Sequence, residues 1–132
     1  MIEWLRRNIM QHSQEFIDLV NAAREKIKEC LVSDVKSKMD QGDDFILIDV
    51  REGSEFAVSH LPDARHIGRG VLEMKVIQTI PDKSTELVLY CGGGYRSSLA
   101  AESLVKMGYQ NVISMDGGFG GWNKSGYPVI KG

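Results

Sequence analysis

Three short runs of apolar residues, at positions 45–50, 87–91 and 112–115, constrain the fold of this chain more than any other feature. Continuous apolar runs of this length are typical of strands that are buried on both faces of a parallel sheet. Stretches with helical spacing follow or separate them, over residues 71–80 and 97–107. Because parallel strands that alternate with helices need right-handed crossovers, the sequence predicts an α/β fold with helices on both faces of the sheet.

Shorter elements complete this prediction. Ser33 is a suitable N-cap for a short helix that Gly42 ends, and residues 53–60 have the pattern of a second short helix. Residues 65–67 are a weaker candidate for a strand. Residues 117–126 are predicted to be a glycine-rich return of the chain that holds Trp122.

Residues 2–29 contain no proline or glycine, and their apolar residues recur at helical spacing. This pattern predicts one long helix, or two helices with a break at residues 11–13, so we define residues 1–29 as a helical extension to a domain of residues 30–132. The apolar stripe must pack on that domain or on a second copy of the chain, which makes a homodimer one expectation. Docking on a membrane surface is the minor alternative. His12 is expected to be a solvated residue of this helix.

The size and charge of the chain exclude several classes of protein. A length of 132 residues suits one domain, and a net charge of -2 gives no basic field of the kind that attracts nucleic acid. No apolar run has the length of a signal peptide or a membrane span, so the cytoplasm is the expected location. Two cysteines are too few for a secreted disulfide framework.

Cys91 lies at the carboxyl end of a predicted strand, which is where open α/β folds place their ligands. Gly92, Gly93 and Gly94 follow it, and a loop without Cβ atoms can turn several backbone N–H groups toward the sulfur. Together with the amino end of the next helix and the cation of Arg96, this loop favours a thiolate. We therefore predict that Cys91 is a nucleophile, and the alternative is a buried, inert cysteine.

Other polar residues receive more modest interpretations. Cys30 is expected to be a structural thiol, with a role as resolving partner of Cys91 as the alternative. His60 and His66 are six residues apart with no cysteine beside them, so no metal site is predicted and both have packing or loop roles. Asp49 is expected to hold loops by hydrogen bonds.

Four groups of residues, in order along the chain, resemble signatures of the rhodanese family. They are the Ile-Asp-Val-Arg of residues 48–51, the residues at 55–56 and 60–67, the loop Cys-Gly-Gly-Gly-Tyr-Arg-Ser of residues 91–97, and the Gly, Trp and Pro residues of positions 117–128. The resemblance extends over roughly residues 28–130. One departure is Ser59, which stands where the family usually has glycine.

The resemblance implies a five-stranded parallel sheet with helices on both faces and an enzyme of the thiosulfate sulfurtransferase type. Cys91 would form a persulfide with a sulfur donor and pass the sulfur to a thiol or cyanide-like acceptor, with no cofactor. The amides and side chains of the loop, including Tyr95 and Ser97, would bind substrate and persulfide, and Asp49 and Arg51 would support it. Arg51 and Glu55, four residues apart, are expected to pair.

Three questions stay open at this point. The same fold hosts phosphatases and arsenate reductases, but their loop has five residues between Cys and Arg, whereas this chain has four. A non-catalytic sulfur carrier, sensor or docking module is the stronger alternative. The loop has no Lys and no second Arg, so the physiological donor is hypothesised to be a polysulfide, a persulfide or a partner protein rather than thiosulfate.

Overall fold

The computed structural model describes residues 12–132. Six helices are present in this part of the chain: α1 (Gln14–Arg24), α2 (Val32–Asp40), α3 (Gly53–Val58), α4 (Leu72–Thr79), α5 (Tyr95–Lys106) and α6 (Gly118–Lys124). A 3-10 turn at Arg69–Val71 leads into α4. The strands are β1 (Lys28–Cys30), β2 (Ile46–Asp49), β3 (Ser59–His60), β4 (Arg65–His66), β5 (Glu86–Tyr90), β6 (Asn111–Met115) and β7 (Ile130–Lys131). None of the described helices is long and apolar enough to cross a membrane.

Five of the strands form one parallel sheet in the order β1-β6-β5-β2-β4. This confirms the predicted α/β fold with a five-stranded parallel sheet. β5 is the central strand, and its apolar run is buried because neighbouring strands and helices cover it on every side. β3 and β7 form a separate antiparallel pair.

The two faces of the sheet are covered by different helices. Leu87 and Leu89 of β5 pack with residues of α4 and α5, on what we call the α5 face. Val88 and Tyr90 point the other way and pack with α2 and α6, on the α6 face. Because side chains alternate along a strand, the next residue after β5, Cys91, belongs to the α5 face.

The helical prediction for the amino-terminal residues is partly wrong. α1 begins at Gln14, where the Ser13 side chain accepts a hydrogen bond from the N–H of Phe16 (3.1 Å), and it buries Val20 and Ala23 against α5. Residues 28–30, however, form the edge strand β1 beside β6 rather than the end of a helix. The ladder with β6 stabilises an extended backbone there, and helical spacing alone does not reveal such a pairing. The expected stripe before residue 12 lies outside the described residues, and the homodimer stays a prediction.

Three further boundaries differ from the prediction. α2 begins at Val32 with Leu31 as its N-cap, because the Leu31 N–H donates to the Asp34 carboxylate (2.8 Å) and Ser33 is left inside the helix. α3 ends at Val58, since residues 59–60 pair with β7. The glycine-rich return, for which no helix was predicted, contains α6, which is held to the core by the fully buried Trp122.

Candidate active site

Cys91 stands directly after β5 at the carboxyl edge of the sheet, and its residue is only 1% exposed. Its sulfur accepts hydrogen bonds from two backbone N–H groups, those of Gly94 (3.1 Å) and Ser97 (3.4 Å). Hydrogen bonds of this kind stabilise an anionic sulfur more than a neutral one. The loop and the amino end of α5 therefore form an anion-binding cradle around this atom.

The cradle depends on glycine at position 94. Gly94 has a φ of +100° and is the N-cap of α5. A Cβ atom there would lie 3.2 Å from the nitrogen of Gly117 and 3.3 Å from the carboxylate of Asp116. A side chain at this position would thus meet both backbone strain and close packing.

The amino end of α6 holds the other side of the loop. Its Phe119 N–H donates to the carbonyl oxygen of Cys91 (2.7 Å), and its Gly120 N–H donates to that of Gly92 (2.9 Å). These two hydrogen bonds fix the first two peptide units of the loop against α6. This role was not predicted, and the Gly-Gly pair at residues 117–118 was the one signal available for it in the sequence.

Two buried serines extend the site beneath the sulfur. The Ser97 hydroxyl lies 3.6 Å from the sulfur of Cys91 and 2.8 Å from the hydroxyl of Ser114 on β6. Both serines are fully buried. Ser97 was predicted from its place in the loop, whereas Ser114 was missed.

The sulfur lies at the bottom of an open cleft of about 430 Å³, lined by His12, Cys91, Gly92, Gly93, Tyr95 and Arg96. Arg96 is the cation of this cleft. Its guanidinium lies 3.4 Å from the carboxylate of Glu55, and both side chains are 39% exposed. The expected pairing of Glu55 with Arg51 is therefore wrong, because α3 turns Glu55 toward the cleft and Arg51 has a nearer carboxylate.

The prediction that His12 is a solvated helix residue is wrong. It precedes α1, is partly buried, and places its ring 4.4 Å from that of Tyr95 at the wall of the cleft. Phe16 lies beside both rings, and the Arg24 guanidinium stands 5.3 Å from the centre of the Tyr95 ring. The packing of α1 on α5 brings this cluster to the site, and single-sequence periodicity does not reveal it.

Asp49 and Arg51 form a buried ion pair behind the loop rather than in the cleft. The guanidinium of Arg51 contacts both carboxylate oxygens of Asp49 (2.8–3.1 Å) and donates to the carbonyl oxygen of Ser59 (2.7 Å). Burial by itself lowers the pKa of Arg51, but the hydrogen bonds and charge of Asp49 outweigh this and raise it. Arg51 also stacks on Phe119 (4.3 Å), the residue whose N–H holds the carbonyl of Cys91.

Cys30 is remote from Cys91. It packs on the α6 face, whereas Cys91 belongs to the α5 face. One strand, β6, separates β1 from β5, which puts the two cysteines about 10 Å apart, too far for a disulfide without backbone movement. Burial and the nearby Asp34 raise the pKa of the Cys30 thiol to about 11. These contacts are those of a structural thiol.

The histidines of β3 and β4 make packing contacts. A ring nitrogen of His60 lies 3.1 Å from the carbonyl oxygen of Phe56, and one of His66 lies 2.7 Å from that of Arg51. The His60 ring also stacks on Phe56 at 3.9 Å. Within residues 12–132, no group of three or more His, Cys, Asp or Glu residues is placed to hold a metal ion.

Known proteins resemble the chain over this same region. A model of the Rhodanese-like domain family matches residues 31–125. The thiosulfate sulfurtransferase GlpE of Haemophilus influenzae is 34% identical over 103 residues, which are 77% of this chain and 93% of that protein. A protein of unknown function from Rhodopseudomonas palustris, named as a possible tyrosine phosphatase, has a similar structure (TM-score 0.78, 27% identity, 90% of this chain and 96% of that one). So does the polysulfide-sulfur transferase homodimer from Wolinella succinogenes (TM-score 0.75, 25% identity, 88% and 87%).

Proposed function

The chain belongs to the rhodanese-like domain family, and on that premise we propose that it is a sulfurtransferase in which Cys91 carries sulfur as a persulfide. The observation that carries this proposal is the pair of backbone N–H groups, from Gly94 and Ser97, that converge on the Cys91 sulfur at the bottom of an open cleft. A group arranged in this way is stabilised as an anion, which is the form in which a thiol acts as nucleophile.

The first step is attack by the Cys91 thiolate on the outer sulfur atom of a donor. With thiosulfate, a new S–S bond forms on Cys91 while the bond to the sulfonate breaks, and sulfite leaves with the electron pair of that bond. The negative charge then resides on the outer persulfide sulfur. The loop amides and the Arg96 guanidinium are the donors available to stabilise that charge.

The second step returns the enzyme to its starting state. An acceptor such as cyanide or a thiolate attacks the outer persulfide sulfur, and the S–S bond breaks with its electron pair returning to Cys91. With cyanide the product is thiocyanate. Both steps are displacements at sulfur in which no other redox partner takes part, so the proposal requires no cofactor.

The charge of the cleft supports a donor other than thiosulfate. Arg96 is the one Lys or Arg among the residues that line the cleft in the described part of the chain, and Glu55 at 3.4 Å offsets part of its charge. The compact charge of thiosulfate costs more to desolvate than the charge of a longer polysulfide or of a persulfide, and a single, partly offset cation compensates less of that cost. The structural likeness to a polysulfide-sulfur transferase is consistent with this choice.

The test combines turnover with mass spectrometry of the intact protein. We expect a gain of one sulfur atom after exposure to donor, thiocyanate formation on addition of cyanide, and higher turnover with polysulfide than with thiosulfate. Cys91→Ser should abolish the mass gain and the turnover, while Cys30→Ser, the matched control, should retain both. If neither donor produced a mass gain or turnover, the proposal would be refuted.

The two rival functions have distinct outcomes in the same experiment. A non-catalytic sulfur carrier would gain the sulfur atom but would not turn over with small acceptors. A phosphatase would hydrolyse p-nitrophenyl phosphate in a Cys91-dependent way. The four residues between Cys91 and Arg96 form a shorter loop than phosphatases use for a tetrahedral oxyanion, so we expect no hydrolysis.

A further inference from the structure

Ser114 is a polar residue in apolar surroundings. It is fully buried in β6, on the α5 face, where its register partner is Leu89 and the next residue of β6 on the same face is Val112. A buried hydroxyl without a hydrogen bond costs free energy, and an apolar side chain would pack here without that cost. The position of its hydroxyl therefore requires an explanation.

The hydroxyl of Ser114 makes a single hydrogen bond within residues 12–132, to the hydroxyl of Ser97 at 2.8 Å. Each hydroxyl has one proton to donate, so the direction of this bond determines what Ser97 can do. If Ser97 donated to Ser114, it would have no proton left for the Cys91 sulfur, 3.6 Å away. If Ser114 donates to Ser97, the proton of Ser97 is free to point at the sulfur.

We propose that Ser114 is a positioning residue that directs the Ser97 hydroxyl toward Cys91 and so stabilises its thiolate and persulfide. An anionic sulfur can only accept, which selects the chain of donors Ser114 to Ser97 to Cys91. A protonated thiol can donate, which permits the reverse direction. The two hydroxyls thus form a relay whose orientation follows the charge of the sulfur. This inference rests on the proposed role of Cys91 as nucleophile.

The charged groups near the relay have other partners. Arg96 on α5 pairs with Glu55 of α3, and the Arg24 side chain of α1 contacts Ser98 (3.4 Å) and Asp116 (3.7 Å). The carboxylate of Asp116, just after β6, accepts from the N–H of Gly117. The ring of His12 packs at a tilt against that of Tyr95. Arg51, paired with Asp49, lies near the ring of Tyr90, which packs on the α6 face. None of these groups hydrogen-bonds to either serine hydroxyl. Replacing Ser97 or Ser114 therefore leaves the charges around the sulfur in place.

The experiment measures the rate of Cys91 alkylation by iodoacetamide as a function of pH (the pH profile) in the full chain. A Cys30→Ser background is used so that Cys91 is the one thiol that can react. Ser114→Ala should displace the profile to higher pH by about half a unit to one unit, the equivalent of one hydrogen bond to the sulfur. No sulfur donor is present, so a failure here is distinguishable from a failure of the proposed sulfur transfer.

Two comparisons separate positioning from a loss of packing. Val112→Ala removes buried atoms from the same face of β6 and should lower stability without moving the profile. In a Ser97→Ala background, Ser114→Ala should produce no additional displacement, because its only route to the sulfur is gone. The inference is overturned if folded Ser114→Ala keeps the parent profile, or if its displacement is the same with and without Ser97.

Discussion

Gly118 lies so close to Cys91 that a Cβ atom at position 118 would stand 2.5 Å from the carbonyl oxygen of Cys91 and 2.7 Å from that of Gly92. This approach allows the next two N–H groups of α6 to bind those carbonyls. The backbone of α6 is thus hydrogen-bonded to the loop that follows β5, and glycine is required at position 118 by this close contact as well as by its φ of +58°.

Gly118→Ala should therefore damage both stability and reactivity. Backbone strain and the clash together predict a loss of about 2–5 kcal/mol in the free energy of unfolding, with slower alkylation of Cys91 as the loop shifts. Gly126→Ala is the matched control, because Gly126 also has a positive φ (+75°) but nothing within 4 Å of a new Cβ. Urea unfolding and alkylation rates check this, and equal losses in the two variants would contradict it.

Arg51→Ala should be the most destabilising loss of a charge. It leaves the fully buried carboxylate of Asp49 without its partner, and breaking a buried pair in this way costs about 3–5 kcal/mol. Lys36→Ala, which breaks an exposed pair with Asp40 on α2, should cost about 0.5 kcal/mol or less. Urea unfolding of both variants provides the comparison, and a similar cost for each would refute this reading.

Glu55→Gln should raise kcat/KM with thiosulfate as the donor. Removing the carboxylate leaves the positive charge of Arg96 free to attract an anionic donor, and a partly exposed pair of this kind predicts an increase in kcat/KM of up to about fivefold. Glu52→Gln, three residues earlier, serves as the control and should leave kcat/KM unchanged. A decrease for Glu55→Gln would indicate that the carboxylate instead positions Arg96 for binding.

Cys30 should make stability fall at alkaline pH. Its pKa is raised to about 11 in the folded chain from a reference value of 9.0, so the folded state keeps a proton that the unfolded state has lost between these values. Bound protons in the folded state mean that stability declines as pH rises through this window. The free energy of unfolding should therefore fall more steeply from pH 9 to pH 11 in the parent chain than in Cys30→Ser. If the free energy of unfolding changed with pH in the same way in both proteins, a contribution from Cys30 would be excluded.

His12→Ala should widen the cleft. The ring of His12 covers Tyr95 at the wall above Cys91, and its removal should admit larger reagents more easily. We expect faster alkylation of Cys91 by a bulky maleimide, while the rate with the small reagent iodoacetamide serves as the internal control and stays nearly constant. Equal changes in rate with both reagents would indicate that the reactivity of the Cys91 sulfur had changed rather than the width of the cleft.

The buried strands, and Cys91 as the candidate nucleophile, can be predicted from the order of residues alone. Continuous apolar runs identify β2, β5 and β6 because burial on both faces of a sheet requires them, and a cysteine followed by three glycines at the end of β5 marks an anion-binding turn. These features are local, so the order of residue types along the chain is sufficient to find them.

The contacts between distant segments at the site depend on the tertiary fold. Four relationships join residues that are far apart in the chain. They are the pairing of residues 28–30 with β6, the hydrogen bonds between α6 and the loop after β5, the Glu55–Arg96 pair, and the contact between Ser97 and Ser114. Their free energies come from the contacts that form when the helices cross over the sheet. A single sequence indicates burial and local propensity but not which elements become neighbours, so these relationships could not be predicted from it.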